Sequence, residues 1–201
     1  MKKIILSIVT LIAFSEMSYA EEDIKSAEDY DLLTGIDNSS FYTGVGLGKT
    51  SIYNDFAAEE ISANTLMLIL GYQYNQYVAF EGRYTFGFDT QYDVGITDNA
   101  SGDYNGDYTG WGLYVKPTYP IGDFNIYALL GYGGVQLASL EQGDAYESGF
   151  QWGLGVGYSF QNNIDVFIDY ISLYSGTGFD YRAQNQDVNA DAFVIGMSYK
   201  F

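Results

Sequence analysis

The sequence predicts an all-β protein, an eight-stranded antiparallel transmembrane β-barrel, from three observations. Repeated segments alternate bulky apolar residues with small or polar ones. The chain holds 24 Gly, 21 Tyr and 13 Phe but only 2 Pro. The connections between the segments alternate between short and long. Tyr and Phe favour strands, whereas each glycine inside a helix would cost about 1 kcal/mol against alanine.

Strands are expected where the alternation has a period of two, because successive side chains of a strand point to opposite faces. The sixth segment is the clearest: Phe150, Trp152, Leu154, Val156, Tyr158 and Phe160 alternate with Gln151, Gly153, Gly155, Gly157 and Ser159. The same pattern places strands near 41–51, 64–74, 77–88, 108–119, 124–137, 149–160, 164–174 and 190–201.

The number of bulky residues decides which face forms the interior. A soluble secreted barrel or sandwich also alternates apolar and polar residues, with the apolar set inside. The lumen of an eight-stranded barrel is just wide enough for ordinary side-chain filling, so several dozen Leu, Tyr, Phe and Trp side chains would not fit. We therefore expect glycine, serine, glutamine and charged residues to fill a compact polar lumen, and the bulky set to face lipid.

The connections predict the orientation. Short connections are expected at 75–76, 120–123 and 161–163, and longer acidic ones at 52–63, 89–107, 138–148 and 175–189. Membrane barrels have short periplasmic turns and longer extracellular loops. The sequence therefore predicts short periplasmic turns, four longer extracellular loops and an aromatic belt at the inner rim, where rings suit a membrane interface.

The first residues predict export. Lys2 and Lys3 precede an apolar run from Ile4 to Phe14, which is followed by Ser18-Tyr19-Ala20. The run is too short for the roughly 20 residues of a spanning helix. We expect a signal peptide over 1–20 that is cleaved after Ala20, an acidic periplasmic leader over 21–40 and a barrel domain over 41–201.

Charge excludes one class of partner. Removal of Lys2, Lys3 and Glu16 with the signal peptide leaves 6 basic and 25 acidic residues, a net charge of −19. Nucleic-acid binding depends on basic residues that neutralise phosphates, so no nucleic-acid partner is expected.

The chain resembles the small eight-stranded outer-membrane barrels of the OmpA/OmpX type. The resemblance covers residues 41–201 and rests on the strand count, on Gly71-Tyr72-Gln73 and Gly155-Val156-Gly157-Tyr158, and on the aromatic C-terminus. It implies an outer-membrane location among lipid and lipopolysaccharide. It also implies that the last strand is a signal for the barrel-assembly machinery, carried by Ile195, Met197, Tyr199 and Phe201.

Six charged residues belong to the inward set and are the candidate site: Glu81, Arg83, Lys116, Asp165, Asp169 and Lys200. Counted from the periplasmic rim, Glu81 lies level with Lys116, and Asp165 with Lys200, whereas Arg83 faces Asp169 across the lumen. Because buried charges persist when they are paired and hydrogen-bonded, we expect an ion-pair network that fills the lumen. The alternative is an ion path or gate.

Other chemistry has weaker support in the sequence. The segment 98–107 is rich in Asp, Asn and Gly, residues that can hold a calcium ion but also form ordinary turns. Outer-membrane enzymes generally use a histidine base, and this chain has no histidine. We expect no enzymatic activity, no cofactor and no metal site.

The predicted function is structural or interactive. The barrel would support the envelope and present its loops to an unidentified surface ligand, because binding specificity resides in loops. The alternative is a small porin-like channel for ions or solutes.

Overall fold

The computed structural model describes residues 39–54, 59–94, 102–103, 107–138, 144–180 and 182–201. The predicted signal peptide (1–20), nearly all of the predicted leader (21–40) and most of the candidate cation loop (98–107) lie outside these ranges. In the described part of the chain, no helix is long and apolar enough to cross a membrane.

Eight long strands of the described chain close into an antiparallel barrel, which confirms the predicted fold. They are β1 (Ser40–Asn54), β2 (Glu59–Asn75), β3 (Val78–Val94), β5 (Tyr108–Ile121), β6 (Phe124–Leu137), β7 (Ala145–Ser159), β8 (Ile164–Phe179) and β9 (Arg182–Lys200). Consecutive long strands pair, and β9 pairs with β1 to close the ring. The two-residue strand β4 (Gly102–Asp103) pairs with β3 alone.

The bulky residues point outward, as the alternation predicts. Leu70, Leu113 and Phe201 keep 71%, 63% and 72% of their surface exposed. A large apolar side chain left this open in water would be costly, so the wall is built for lipid. Exposed aromatic residues surround the end of the barrel that carries the short turns, which we call the turn end. They include Phe41, Tyr74, Tyr119, Phe124, Tyr199 and Phe201.

A second belt of aromatic residues, which we call the outer aromatic ring, marks the other limit of the apolar wall. It lies towards the opposite end of the barrel, which we call the loop end. Its exposed members include Trp111, Tyr132, Phe150, Trp152, Tyr170 and Phe193. The wall between the rings runs from Phe150 to Phe160 along β7, roughly ten steps of about 3.3 Å on a strand tilted by about 40°. That gives a height of about 25 Å, which matches the apolar band of outer-membrane barrels.

The strands continue beyond the apolar wall at the loop end, so the predicted loop limits are wrong. The predicted loop 175–189 is almost entirely a hairpin, since β8 reaches Phe179 and β9 starts at Arg182. Strands also occupy parts of the predicted loops 52–63, 89–107 and 138–148. The prediction followed the lipid-facing residues, and above the wall the outward positions are polar, as at Asp187 and Asn189.

The interior has two layers, which corrects the expectation of a wholly polar core. Charged and polar side chains fill its middle. Towards the loop end the buried side chains are mainly apolar: Ile52, Ile61, Val135, Leu137, Leu173, Phe179, Val188 and Ala190. Since the strands extend above the membrane wall, this part of the barrel buries an apolar core like that of a soluble protein.

Glycines of the inner face make room for larger side chains from other positions. A Cβ at Gly71 would lie 2.0 Å from Cζ of Tyr42. A Cβ at Gly196 would lie 2.4 Å from Cζ of Phe167. The glycine-rich lumen is therefore filled by rings rather than left open.

Gly131 on β6 provides a test of this packing. A Cβ there would lie 2.0 Å from the carbonyl oxygen of Leu113 on β5, and the backbone of a paired strand cannot move aside cheaply. We expect Gly131→Ala to lower the free energy of unfolding by about 1–3 kcal/mol, measured by urea titration of tryptophan fluorescence in lipid vesicles. Gly149→Ala, where a Cβ meets nothing within 4 Å, is the control and should change it by less than about 0.5 kcal/mol. Equal effects of the two variants would contradict the packing argument.

Candidate functional site: the charged lumen

A cluster of charged and polar side chains crosses the middle of the lumen. We call it the lumen cluster, and it consists of Tyr42, Glu81, Arg83, Tyr114, Lys116, Tyr127, Gln151 and Asp169. The alternation of inward and outward residues places each of these side chains inside the barrel, on β1, β3, β5, β6, β7 or β8.

Arg83 is the centre of the lumen cluster. Its Nη1 donates to Oδ2 of Asp169 over 2.6 Å. Its Nε and Nη2 donate to Oε2 of Glu81 over 2.8 and 2.6 Å. In the ring of eight long strands, β8 lies directly opposite β3. The Arg83–Asp169 ion pair therefore spans the lumen from wall to wall.

Glu81 joins two further strands to this centre. Its Oε1 accepts hydrogen bonds from Lys116 Nζ on β5, over 2.7 Å, and from the Tyr42 hydroxyl on β1, over 2.6 Å. The Glu81 side chain is 1% exposed and that of Lys116 is 17% exposed. The carboxylate thus uses both oxygens and is surrounded by donors.

Tyrosines add two further hydrogen bonds to the lumen cluster. The Tyr127 hydroxyl on β6 donates to Oδ1 of Asp169 over 2.5 Å, and its ring lies 4.0 Å from Lys116 Nζ. On the neighbouring strands, Tyr114 donates to Oε1 of Gln151. The Tyr127–Asp169 bond is charge-assisted and therefore about twice as strong as a neutral one such as Tyr114–Gln151.

The lumen cluster is electrically balanced. It has two carboxylates, on Glu81 and Asp169, and two cations, on Arg83 and Lys116. An isolated buried charge is strongly unfavourable, and a buried pair is tolerated when hydrogen bonds satisfy it. The arrangement can therefore remain buried, and it obstructs the lumen with side chains from opposite walls.

Asp165 and Lys200 are not brought together, contrary to the expected pairing. No ion pair within 4.0 Å joins them among the described residues. Asp165 pairs in register with Ser198, two residues before Lys200; the same offset separates Glu81 from Lys116, which do form an ion pair, so the register alone does not keep Asp165 and Lys200 apart. Both residues line a cavity of about 140 Å³ at the turn end. Water can solvate charges at such an open mouth, so they do not require each other.

The C-terminal residues form the closing seam of the barrel. Ile195, Met197 and Tyr199 point outward, opposite Leu47, Val45 and Thr43 of β1. The main-chain N–H of Phe201 donates to the carbonyl oxygen of Phe41 over 2.9 Å.

The sequence alone assigns no role to Tyr42 and Gln151 of the lumen cluster, or to Met67, which lies beside it. Tyr42 is an inward residue because its neighbour Phe41 belongs to the outward set. Gln151 is expected inside the barrel, but without a named partner. Met67 Sδ lies 3.8 Å from Arg83 Nη1 on the neighbouring strand. The alternation predicts that a side chain points inward, but no pattern in the sequence predicts which residue it contacts there.

Comparison with known families identifies the chain. The model of the outer membrane protein beta-barrel domain matches residues 9–201. The chain belongs to this family. Its barrel is an outer-membrane barrel, and the rule that periplasmic turns are short assigns the turn end to the periplasm and the loop end to the outside.

Solved structures share the fold at low sequence identity. Neisserial surface protein A (NspA) has 16% identity and a TM-score of 0.54, with 82% of this chain and 99% of that chain covered. OprG of Pseudomonas aeruginosa has 17% identity and a TM-score of 0.51, with 81% and 96% covered. The attachment invasion locus protein Ail of Yersinia pestis, solved with the heparin analogue sucrose octasulfate, has 17% identity and a TM-score of 0.50, with 81% and 97% covered. No curated protein sequence matches the chain.

Breaking the central ion pair should destabilise the barrel. Asp169→Asn leaves one side of the buried Arg83 guanidinium without its counter-charge, so we expect the free energy of unfolding to fall by about 3–5 kcal/mol. Asp165→Asn is the control, because that carboxylate is in no ion pair within the described chain. Urea unfolding in lipid vesicles measures both. A cost of Asp169→Asn no larger than that of Asp165→Asn would show that the pair contributes nothing to stability.

Proposed function

We propose that this protein is a closed outer-membrane barrel whose work is structural and interactive: it spans the outer membrane and presents its extracellular end to a surface ligand. The observation that carries the proposal is the filling of the lumen at two levels. The lumen cluster occupies the middle, and an apolar layer that includes Val135 and Ala190, both 0% exposed, follows towards the loop end.

The two levels argue against the porin-like alternative. A conducting ion would have to cross the hydrogen-bonded charges and then an apolar constriction, where desolvation is unfavourable. The cavity at the turn end has a volume of about 140 Å³ and is bounded on its inner side by Tyr42, Lys116 and Tyr127 of the lumen cluster. It is therefore a blind mouth rather than one end of a path.

Charge indicates the class of surface ligand. The described residues of the loop end carry Glu60, Asp107, Asp144, Glu147, Asp180, Asp187 and Asp191. Ail was solved with a polyanionic heparin analogue, and an acidic surface would repel such a molecule. We infer that the ligand of this chain is neutral or cationic.

Two further partners belong to the proposal. The outward residues Ile195, Met197, Tyr199 and Phe201 fit a signal for the barrel-assembly machinery. Lipopolysaccharide would surround the loop end, where Lys49 points outward just above Leu47 and is positioned to meet an anionic headgroup.

Enzymatic activity is not part of the proposal. The sequence has no histidine and no cysteine. Within the described ranges, no group of three or more acidic, histidine or cysteine residues could hold a metal ion. The buried carboxylates of Glu81 and Asp169 are already engaged by hydrogen bonds from Tyr42, Arg83, Lys116 and Tyr127.

Planar-bilayer recording tests the closed barrel. The refolded mature protein, with folding checked by heat-modifiable gel mobility, should give no stable unitary current steps, because side chains fill the lumen at both levels. Steps whose size or ion selectivity changes in Glu81→Gln or Lys116→Ala would contradict the proposal and make the lumen cluster part of a pore.

The interactive role predicts that replacing residues 95–106 by a short Gly-Ser linker, or changing other loop-end residues, alters cell binding while the barrel still folds.

A further inference from the structure

Two hairpins separate at the loop end and leave a gap in the barrel wall. β7 and β8 pair from Ser159 and Asp165 up to Trp152 and Ser172, and no further. Above that point β7 pairs only with β6, up to Ala145, and β8 pairs only with β9, up to Phe179. The two neighbouring strands therefore each have an unpaired edge over residues 145–151 and 173–179.

The gap is bounded at both ends, and we call it the β7–β8 window. Its lower limit is the Trp152–Ser172 pair. At its upper limit the main-chain N–H of Asp180 donates to Oε1 of Glu147 over 2.8 Å. The window begins at the outer aromatic ring, which contains Trp152 and Phe150, and so opens to water just above the membrane surface.

The two sides of the window differ in length, which holds it open. The β7 side takes five residue steps from Trp152 to Glu147, about 17 Å of extended chain, whereas the β8 side takes eight from Ser172 to Asp180, about 26 Å. Register shifts at Ser172/Tyr174 and Thr177/Phe179 accommodate the excess. Bulges of this kind bend a strand, and the pairing of β8 with β7 ends at Ser172, where the first of them lies.

The β7 edge has main-chain groups available for pairing. The register of β7 with β6 is continuous, and Ser159 N–H donates to Asp123 O on that side. Because alternate residues bond to opposite neighbours, Tyr146, Ser148 and Phe150 turn their N–H and C=O groups into the window. No described strand receives them.

Side chains leave this edge uncovered. The Tyr146 hydroxyl accepts from Trp111 Nε1 over 3.2 Å, and Ser148 Oγ lies 3.0 Å from the Tyr132 hydroxyl. Both contacts draw the side chains towards β5 and β6, away from the window. A Cβ at Gly149 would meet nothing within 4 Å. The edge has no Lys and no Pro, two residues that often block free strand edges, and the carboxylate of its one charged residue, Glu147, accepts from Asp180 N–H at the upper limit of the window.

The surroundings of the window are acidic. Glu147 and Asp180 form its upper limit, and Asp144 lies beside the end of β7. The strands β7 and β8 contain no Lys or Arg. A strand that enters here would meet negative charge along with unpaired backbone groups.

We propose that the β7–β8 window binds an extended, cationic polypeptide segment of a partner protein, which adds as a strand to the β7 edge at Tyr146, Ser148 and Phe150. Main-chain hydrogen bonds provide affinity in this mode of recognition, and the acidic surroundings select basic side chains. This proposal rests on the interactive role proposed above and names the partner chemistry of one part of that surface.

Ser148 gives a matched pair of variants for the test. Ser148→Pro removes the N–H that faces the window and leaves the ladder with β6 intact, whereas Ser148→Ala removes only the side-chain hydroxyl. The probe is a fluorescent alternating Lys-Val octapeptide, added to the folded protein in nanodiscs. Its fully N-methylated form has the same charge but no backbone N–H.

The proposal predicts three results. The octapeptide shifts the amide resonances of residues 146, 148 and 150, the N-methylated peptide does not bind, and Ser148→Pro weakens binding at least tenfold while Ser148→Ala stays within about twofold of the wild type. Heat-modifiable mobility checks folding of both variants. If Ser148→Pro does not fold, the comparison of the octapeptide with its N-methylated form on the wild-type protein tests the proposal.

Equal binding of the two peptides would overturn the proposal, since charge alone would then account for the affinity. Dimers of the wild-type protein that Ser148→Pro dissociates would also overturn it, because a second copy of the chain would then occupy the edge. Either outcome leaves the interactive role of the loops in place. Unitary current steps would contradict the closed barrel without affecting the window.

Discussion

A guanidinium in the middle of a membrane barrel must have its charge neutralised within the protein, and this requirement organises the lumen. Arg83 is 5% exposed and makes ion pairs with Glu81 on its own strand and with Asp169 on the opposite strand. Tyr42, Lys116 and Tyr127 donate further hydrogen bonds to those two carboxylates. Inner-face glycines in turn accept the tyrosine rings: a Cβ at Gly155 would lie 2.4 Å from Cε2 of Tyr127. The filling of the middle of the lumen thus follows from the need to neutralise the charge of Arg83.

Outside the lumen, the wall of the barrel meets two different surroundings, lipid and water. Over about 25 Å the wall meets lipid, so bulky residues point out and small or polar residues point in. Above that height the wall meets water, and the apolar residues move to the inside, as in a soluble sheet. This change lets the strands extend past the membrane, forms the apolar layer below the loop end and leaves room for two hairpins to separate.

The sequence contained the fold and part of the site. Alternation of period two predicted the eight strands and the outward face, because lipid exposes every second residue along the whole wall. Counting positions from the rim placed Glu81 level with Lys116. In the structure Glu81 pairs in register with Tyr114, two residues before Lys116, and the long lysine side chain still brings the charged atoms to 2.7 Å. The alternation of apolar and polar residues did not predict the strands above the membrane, where outward positions such as Asp187 and Asn189 are polar. The predicted pairing of Asp165 with Lys200 also failed, because water at the rim solvates both charges. The register shifts of β8 depend on tertiary packing, so no local pattern in the sequence predicted the window.

The most direct test of this account is a double-mutant cycle on Arg83 and Asp169, with the free energy of unfolding measured by urea in lipid vesicles for Arg83→Met, Asp169→Leu and the double variant. If the cross-lumen pair organises the interior, each single variant leaves a buried charge without a full set of partners and the double variant relieves part of that cost. The account predicts a coupling free energy of at least about 1.5 kcal/mol, within the range seen for contacting residues. Effects that add to within about 0.5 kcal/mol would contradict it, since the two residues would then act independently.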